Sequence, residues 1–389
     1  MTLTSTLDKI LGGAAQAGAV PGVVAVITDR EHTLYEGAFG KRVLGSDAPM
    51  TTDTVGWIAS CTKAITGAAC MQLVEQGRVD LDSPAQQWAP RLAECRVLEG
   101  FDAAGQPLMR APKRPITLRH LLTHTAGFGY QFWDADTERY QEATGTPGIV
   151  SCREAALMQP LLFDPGERWM YGVNIDWVGK IVETVSGQKL GAYFAEHLFA
   201  PLGMRDTAFR IRPDMQARLA KIHHRDEHGA LAAGDLQIEQ NPENEMGGGG
   251  LYGTMPDYIR FVRMILNDGQ GEYGRVLKPE TVQLMSRNAM GDVRVAALPA
   301  HMPALTNPAE FFPGVPKSWG LSFQINEAPA PTGRPAGTLM WAGLANAYYW
   351  IDRQTGIGGA YMTQILPFAD VKSLPLFYEV ESAVYHSLK

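Results

Sequence analysis

The chain has 389 residues, 45% of them hydrophobic and 19% charged, with a formal net charge of -7. That length buries a large core in one or two closely packed units, and the acidic balance without a basic stripe excludes a nucleic-acid-binding surface. No run reaches the roughly 18 apolar residues of a membrane span. Four cysteines, Cys61, Cys70, Cys95 and Cys152, form no C-x-x-C pair and are too sparse for a disulfide scaffold, which points to a reduced, cytoplasmic setting.

In chain order, Leu3, Leu7, Ile10, Leu11 and Ala14 share one helical face. Asp8 and Lys9 interrupt what would otherwise be the apolar run of a signal peptide. Two β-rich runs, residues 22–28 and 33–39, flank the polar turn Asp29-Arg-Glu-His32 and predict a hairpin. A short apolar run, residues 55–59, leads into Ser60. From there to Glu75 the chain has no proline and several alanines, and Gly77 marks a helix stop. Residues 82–212 carry helical patterns, including 116–122 and 177–185, and few strand signals. After Gly247 to Gly250 come a helix at 256–266, strands at 320–325, 338–341, 347–351 and 359–365, and a final helix at 374–388. The order predicts an α+β fold, in which one antiparallel sheet assembled from both chain ends is flanked by helices and carries an inserted, mainly helical domain. The boundaries expected are 1–81 with 213–389 for the sheet domain and 82–212 for the helical one, with the active site in the cleft between them.

The sharpest chemical feature is Ser60-Cys61-Thr62-Lys63. Residues three apart share a helix face, so Lys63 can reach Ser60 Oγ and act as the base that an alcohol nucleophile needs. At the first turn the Ser60 N–H has no partner within the helix and can serve an oxyanion. Four such letters recur by chance as a helix cap followed by a solvated lysine. Here, however, Lys63 sits among Ala64, Ile65, Ala68, Ala69, Met71 and Leu73, where a charge without a purpose is costly.

Ser60 to Lys63, between a short strand and an apolar helix, resembles the first motif of serine β-lactamases and penicillin-binding proteins. Ile116-Thr-Leu-Arg-His-Leu-Leu-Thr-His-Thr-Ala-Gly127, Asp164-Pro-Gly-Glu167, Pro201-Leu-Gly-Met204 and Gly248-Gly-Gly-Leu-Tyr-Gly253 resemble connecting signatures of the class C-like branch. Within it the chain looks most like the family VIII carboxylesterases, and it shares landmarks with the fungal acyltransferase of the statin nucleus. The resemblance implies a β-lactamase/transpeptidase-like fold and assigns Tyr171 the second motif, sharing a proton with Lys63. In the Tyr-x-Asn form of that motif the asparagine comes one residue earlier than Asn174. Trp341-Ala342-Gly343 stands where the penicillin enzymes carry Lys-Thr-Gly, so an indole replaces a cation, which favours neutral esters over anionic β-lactams. The N–H of Leu344 would then join that of Ser60 in the oxyanion hole. Tyr130, Phe132 and Tyr348, with Phe128, Trp133 and Trp341, would line an apolar acyl or alcohol pocket or belong to the core.

Other features carry less. His223-His224-Arg-Asp226-Glu-His228 has metal-like composition without regular ligand spacing and reads as a solvated loop. No Gly-Lys-Ser/Thr follows Gly247 to Gly250, so that run is no phosphate loop and serves close packing near the site. His120 and His124 read as structural. No serine lies in a Gly-x-Ser-x-Gly elbow. The expected function is a cofactor- and metal-free serine carboxylesterase acting on a small-molecule ester. The alternatives are a β-lactamase or D-Ala-D-Ala peptidase, an acyltransferase on the same acyl-enzyme, and a non-catalytic binding protein.

Overall fold

The computed structural model describes residues 2–388. Thr2 caps the first helix, α1 (Leu3–Gln16), by accepting the Ser5 N–H. Leu7 and Leu11 on its inner face are fully buried, each worth about 2 kcal/mol of transfer free energy. The chain then enters β1 (Gly22–Thr28) and β2 (Thr33–Gly40) as an antiparallel hairpin. The remaining strands of the main sheet come from the other end: β3 (Lys317–Trp319), β4 (Gln324–Asn326), β5 (Leu339–Gly343), β6 (Ala347–Asp352) and β7 (Ile357–Met362). The order is β2-β1-β7-β6-β5-β4-β3, antiparallel throughout, with Val24 opposite Met362 where the two chain ends meet.

Both faces are covered. Successive strand residues point to opposite sides. A Cβ on Gly358 would strike Val262 of α4 (Met255–Leu266), whereas one on Gly359 would strike the Trp350 ring, which packs edge-on against Phe377 of α5 (Ser373–Ser387). Two helices therefore sandwich the sheet, bare Gly358 admitting α4 and bare Gly359 making room for the Trp350 ring that meets α5. The last helix also packs on α1.

The helix α2 (Thr62–Glu75) is buried from Thr62 through Leu73, in keeping with its apolar composition on every side. Gly77 follows it with φ +70, the left-handed geometry that ends helices. Against α2 lies α3 (Asn174–Ser186) from the mainly helical stretch.

Three expectations are corrected. Residues 320–325 are not one strand: the chain turns at Gly320 to Phe323, with the Gly320 N–H donating to the Phe323 carbonyl and Ser322 at φ +79, and pairs only on either side as β3 and β4. The stretch after residue 82 contains a hairpin, Val97–Phe101 with Pro107–Arg110, whose turn is closed by Asp102 Oδ1 accepting the Ala104 and Gln106 N–H groups. The histidine segment is also more ordered than a solvated loop. His223–Arg225 pairs with Leu231–Ala233 and with Ile365–Leu366, and buried His223 accepts the Leu44 N–H at Nε2.

Candidate active site

Ser60 lies in a 3-10 turn, Ala59–Cys61, that feeds directly into α2. Ala59 before it has φ +45, a left-handed conformation that costs an L-residue energy and persists only where the surroundings fix it. The fixing partner is the end of β5. A Cβ on Gly343 would stand 2.2 Å from the Ile58 carbonyl oxygen, so only glycine lets the strand come this close to the turn. Beyond Gly343 the chain leaves the ladder at Leu344, and Ser60 and Leu344 line the same pocket.

Lys63 is 1% exposed, and its Nζ meets Ser60 Oγ at 3.1 Å, Tyr130 Oη at 3.2 Å and the Gly248 carbonyl at 2.5 Å. Tyr130 Oη reaches Asp176 Oδ2 at 3.4 Å, and Asp176 Oδ1 accepts the Gly248 N–H at 2.9 Å. In its neutral form the amine has two N–H groups, which the Gly248 carbonyl and Tyr130 Oη can accept, and a lone pair that can take the Ser60 proton. Burial lowers the Lys63 pKa to about 7, with the Asp176 charge pulling the other way. Burial likewise raises the Asp176 carboxyl, opposed by Lys63 and the Gly248 N–H.

Tyr171 is placed differently from the expectation of a proton shared with Lys63. Lys63 Nζ lies over the face of its ring, 4.6 Å from the centroid, and the tyrosine at hydrogen-bond distance from Lys63 is Tyr130. The Tyr171 hydroxyl instead accepts the Trp341 indole N–H at 2.8 Å and interacts with Ser60. Burial pushes this phenol far above its ordinary range, and the two hydrogen bonds oppose that shift.

Ser60, Tyr130, Phe132, Tyr171, Trp341 and Leu344 converge on one pocket. It draws on both the mainly helical stretch and the flanking segments. Two expected pocket residues lie elsewhere. Asn174 is fully buried at the start of α3, where its amide donates to His124 Nδ1 at 3.1 Å. Tyr348 is a core residue, stacked on Phe377 with its hydroxyl on Asn346 Oδ1, because its position on β6 directs it to the α5 face of the sheet. Gly343 contributes through its approach to Ile58. The buried ring of Phe128 is likewise stacked, on Trp177.

Both structural histidines hold backbone or side-chain positions. His120 closes a capping box with Thr117, and burial beside Lys63 keeps His124 neutral. The glycine run earns its composition, since a Cβ on Gly248 would collide with the Asp176 carboxylate. Sequence reasoning missed Asp176, the Gly248 carbonyl, Ile149, Val150, Met246 and Phe368. Asp176 alone left a signal, a carboxylate set between Ile175, Trp177 and Val178. Among the described residues no group of three or more His, Cys, Asp or Glu side chains is placed to hold a metal, and no helix is long and apolar enough to cross a membrane.

A serine on the first turn of a buried helix, a lysine three residues on, and an antiparallel sheet built from both chain ends define a serine hydrolase of the β-lactamase and transpeptidase type. The chain belongs to the β-lactamase family, whose Beta-lactamase model matches residues 7–378. It is 34% identical over 380 residues to lovastatin esterase of Penicillium rubens, covering 93% of each chain. It is 30% identical over 406 aligned residues to ML-236A carboxylate methylbutanoyltransferase of Penicillium citrinum, covering 100% of this chain and 95% of that one. Unliganded simvastatin synthase from Aspergillus terreus superimposes with a TM-score of 0.85 at 30% identity, covering 99% of this chain and 98% of the other. A family VIII carboxylesterase, with a TM-score of 0.69 at 18% identity over 100% of this chain and 98% of its own, shares the fold.

Proposed function

We propose that this enzyme is a carboxylesterase that cleaves neutral acyl esters through an acyl-enzyme on Ser60. The observation that carries the reading is the position of Lys63, whose buried Nζ, with its pKa lowered to about 7, lies 3.1 Å from the Ser60 hydroxyl. Ser60 Oγ attacks the ester carbonyl as its proton passes to Lys63. The N–H groups of Ser60 and Leu344 hold the resulting oxyanion. As the intermediate collapses, the leaving alkoxide takes the Tyr171 proton, so the acyl-enzyme holds a Lys63 ammonium over the ring of a Tyr171 phenolate. Water then attacks the acyl carbon and gives its proton to Tyr171, while Ser60 Oγ recovers the proton from Lys63. Every group ends as it began.

The substrate class follows from the pocket. Apart from Asp176, which is engaged with Gly248, its side chains are aromatic or aliphatic around the reacting serine and tyrosines. No lysine occupies the Trp341 position to hold a β-lactam carboxylate. Ser60→Ala is expected to abolish hydrolysis of p-nitrophenyl butyrate while the thermal transition stays within a few degrees. Retained turnover would remove the proposal.

Acyl transfer is the second reading, favoured by the apolar pocket and by relatives named as acyltransferases. An alcohol in place of water in the second half-reaction needs no change in any residue's role. Product analysis of butyrate esters in the presence of added alcohol separates the two outcomes.

A further inference from the structure

Trp341 was expected from the sequence to act through its apolar bulk. The structure shows something more specific: its Nε1–H donates to Tyr171 Oη at 2.8 Å. An indole N–H can donate and never accept. The bond therefore occupies one lone pair of the tyrosine oxygen and leaves its proton and remaining lone pair for the Ser60 side. Trp341 is itself held, edge-on to Trp319 at 4.6 Å and to Phe311 at 5.7 Å between ring centroids, and it is 3% exposed. Its strand ends at Gly343 against the nucleophile's turn, so the donor and the oxyanion segment are set by one element.

We propose that Trp341 is a positioning residue for general acid catalysis: its indole N–H orients the Tyr171 hydroxyl toward the leaving alcohol and stabilises the phenolate left when that proton departs. A neutral donor thus serves the tyrosine in the place where the resemblance puts a lysine, without bringing a second cation beside Lys63. The surroundings of Tyr171 leave few other candidates for this task. Lys63 lies over the ring face, His124 has its ring centroid 4.8 Å away and is kept neutral, and Tyr130 approaches edge-on at 5.4 Å. Asp176 and Cys61 act on it only through repulsion that opposes the phenolate.

The proposal rests on the acyl-enzyme reading, and the test keeps the two apart. Trp341→Phe keeps an aromatic ring against Trp319 and removes the donor together with part of the ring volume, a packing loss that both esters would feel alike. The readout is kcat/KM, which reports acylation, on two butyrate esters that differ in the alcohol. p-Nitrophenolate leaves without a proton, whereas ethoxide requires one. The expected result is a loss of about 10- to 100-fold on ethyl butyrate, the worth of one hydrogen bond to a charged oxygen, and less than about 3-fold on p-nitrophenyl butyrate. Equal losses on both esters would make Trp341 a packing residue and overturn the proposal, and so would no loss on either. Ser60→Ala run alongside reports on the acyl-enzyme reading itself: if that variant still turns over either ester, it is the nucleophile assignment that fails.

Discussion

The corner around Lys63 and the wall that faces it obey different rules. In the corner each polar atom has a designated partner: Lys63 has three, Tyr130 bridges to Asp176, and Asp176 is returned to the Gly248 backbone. In the wall, Phe132, Trp133, Ile149, Val150 and Phe368 offer no charged group, and the rings pack on one another, Phe132 on Tyr130 at 4.8 Å and Trp133 on Phe368 at 6.0 Å. The wall is tied from behind by backbone. The Phe132 carbonyl accepts the His301 N–H and the Thr306 hydroxyl, and Phe368 pairs with Leu305 and Asn307. Hydrogen-bond partners are present or absent, so the corner should fail abruptly, whereas shape tolerates increments and the wall should respond by degrees.

The largest effect expected after the loss of Ser60 is at Lys63. Lys63→Met keeps the length of the side chain and removes the base, and it should lower kcat/KM on p-nitrophenyl butyrate by about 10³-fold or more. A loss below about 10-fold would show that Ser60 is activated by another group. Gly343→Ala ranks next. The new Cβ must displace the Ile58 carbonyl, which separates the Leu344 N–H from Ser60, and removal of one oxyanion donor costs about 10²- to 10³-fold in kcat. KM for the same ester should change far less. A rise in KM with kcat preserved would place Gly343 in ground-state binding instead.

Asp176 gives an intermediate effect with a distinct signature. Only the neutral amine accepts the serine proton, and its fraction grows as pH rises through the Lys63 pKa of about 7. The kcat/KM profile should therefore climb with pH and level off above that region. The Asp176 charge raises the Lys63 pKa, so Asp176→Asn should move the rising limb to lower pH, with a loss of about 10-fold at the plateau from disturbing Tyr130. A limb that stays in place would detach Asp176 from the titration of Lys63.

The same contrast explains what could be read from the sequence. The sheet was legible because 22–28 and 33–39 keep strand patterns around a polar turn and because the C-terminal runs are short, apolar and bounded by turn residues. Ser60 and Lys63 were legible because their spacing is local and the helix around them is uniformly apolar. What escaped depends on contacts between distant segments. Tyr130 and Lys63 are 67 positions apart, and Tyr130 lies outside both α2 and α3, so the two meet only in the folded chain and the sequence offered Tyr130 as one aromatic among several. Asn174 carried a motif-like position, yet its amide turned toward His124. The 320–325 run has strand composition throughout, and only the Ser322 turn divides it.

The wall supplies the smallest and most graded prediction. Ile149 lines the pocket on the side of the mainly helical stretch and is 6% exposed. Truncation to alanine removes three carbons there and opens volume beside the acyl group without touching a hydrogen bond of the corner. A longer acyl chain can fill that space, and each methylene in a fitted apolar pocket discriminates by roughly 10-fold or somewhat more. Ile149→Ala should therefore raise the ratio of kcat/KM for p-nitrophenyl hexanoate over the butyrate ester several-fold, with the pH profile unchanged because Lys63 keeps its surroundings. If the ratio is unaltered, the acyl group lies elsewhere and Ile149 faces the alcohol. The same variant assayed with butyrate esters of short and long alcohols would then show the preference shifting with the alcohol.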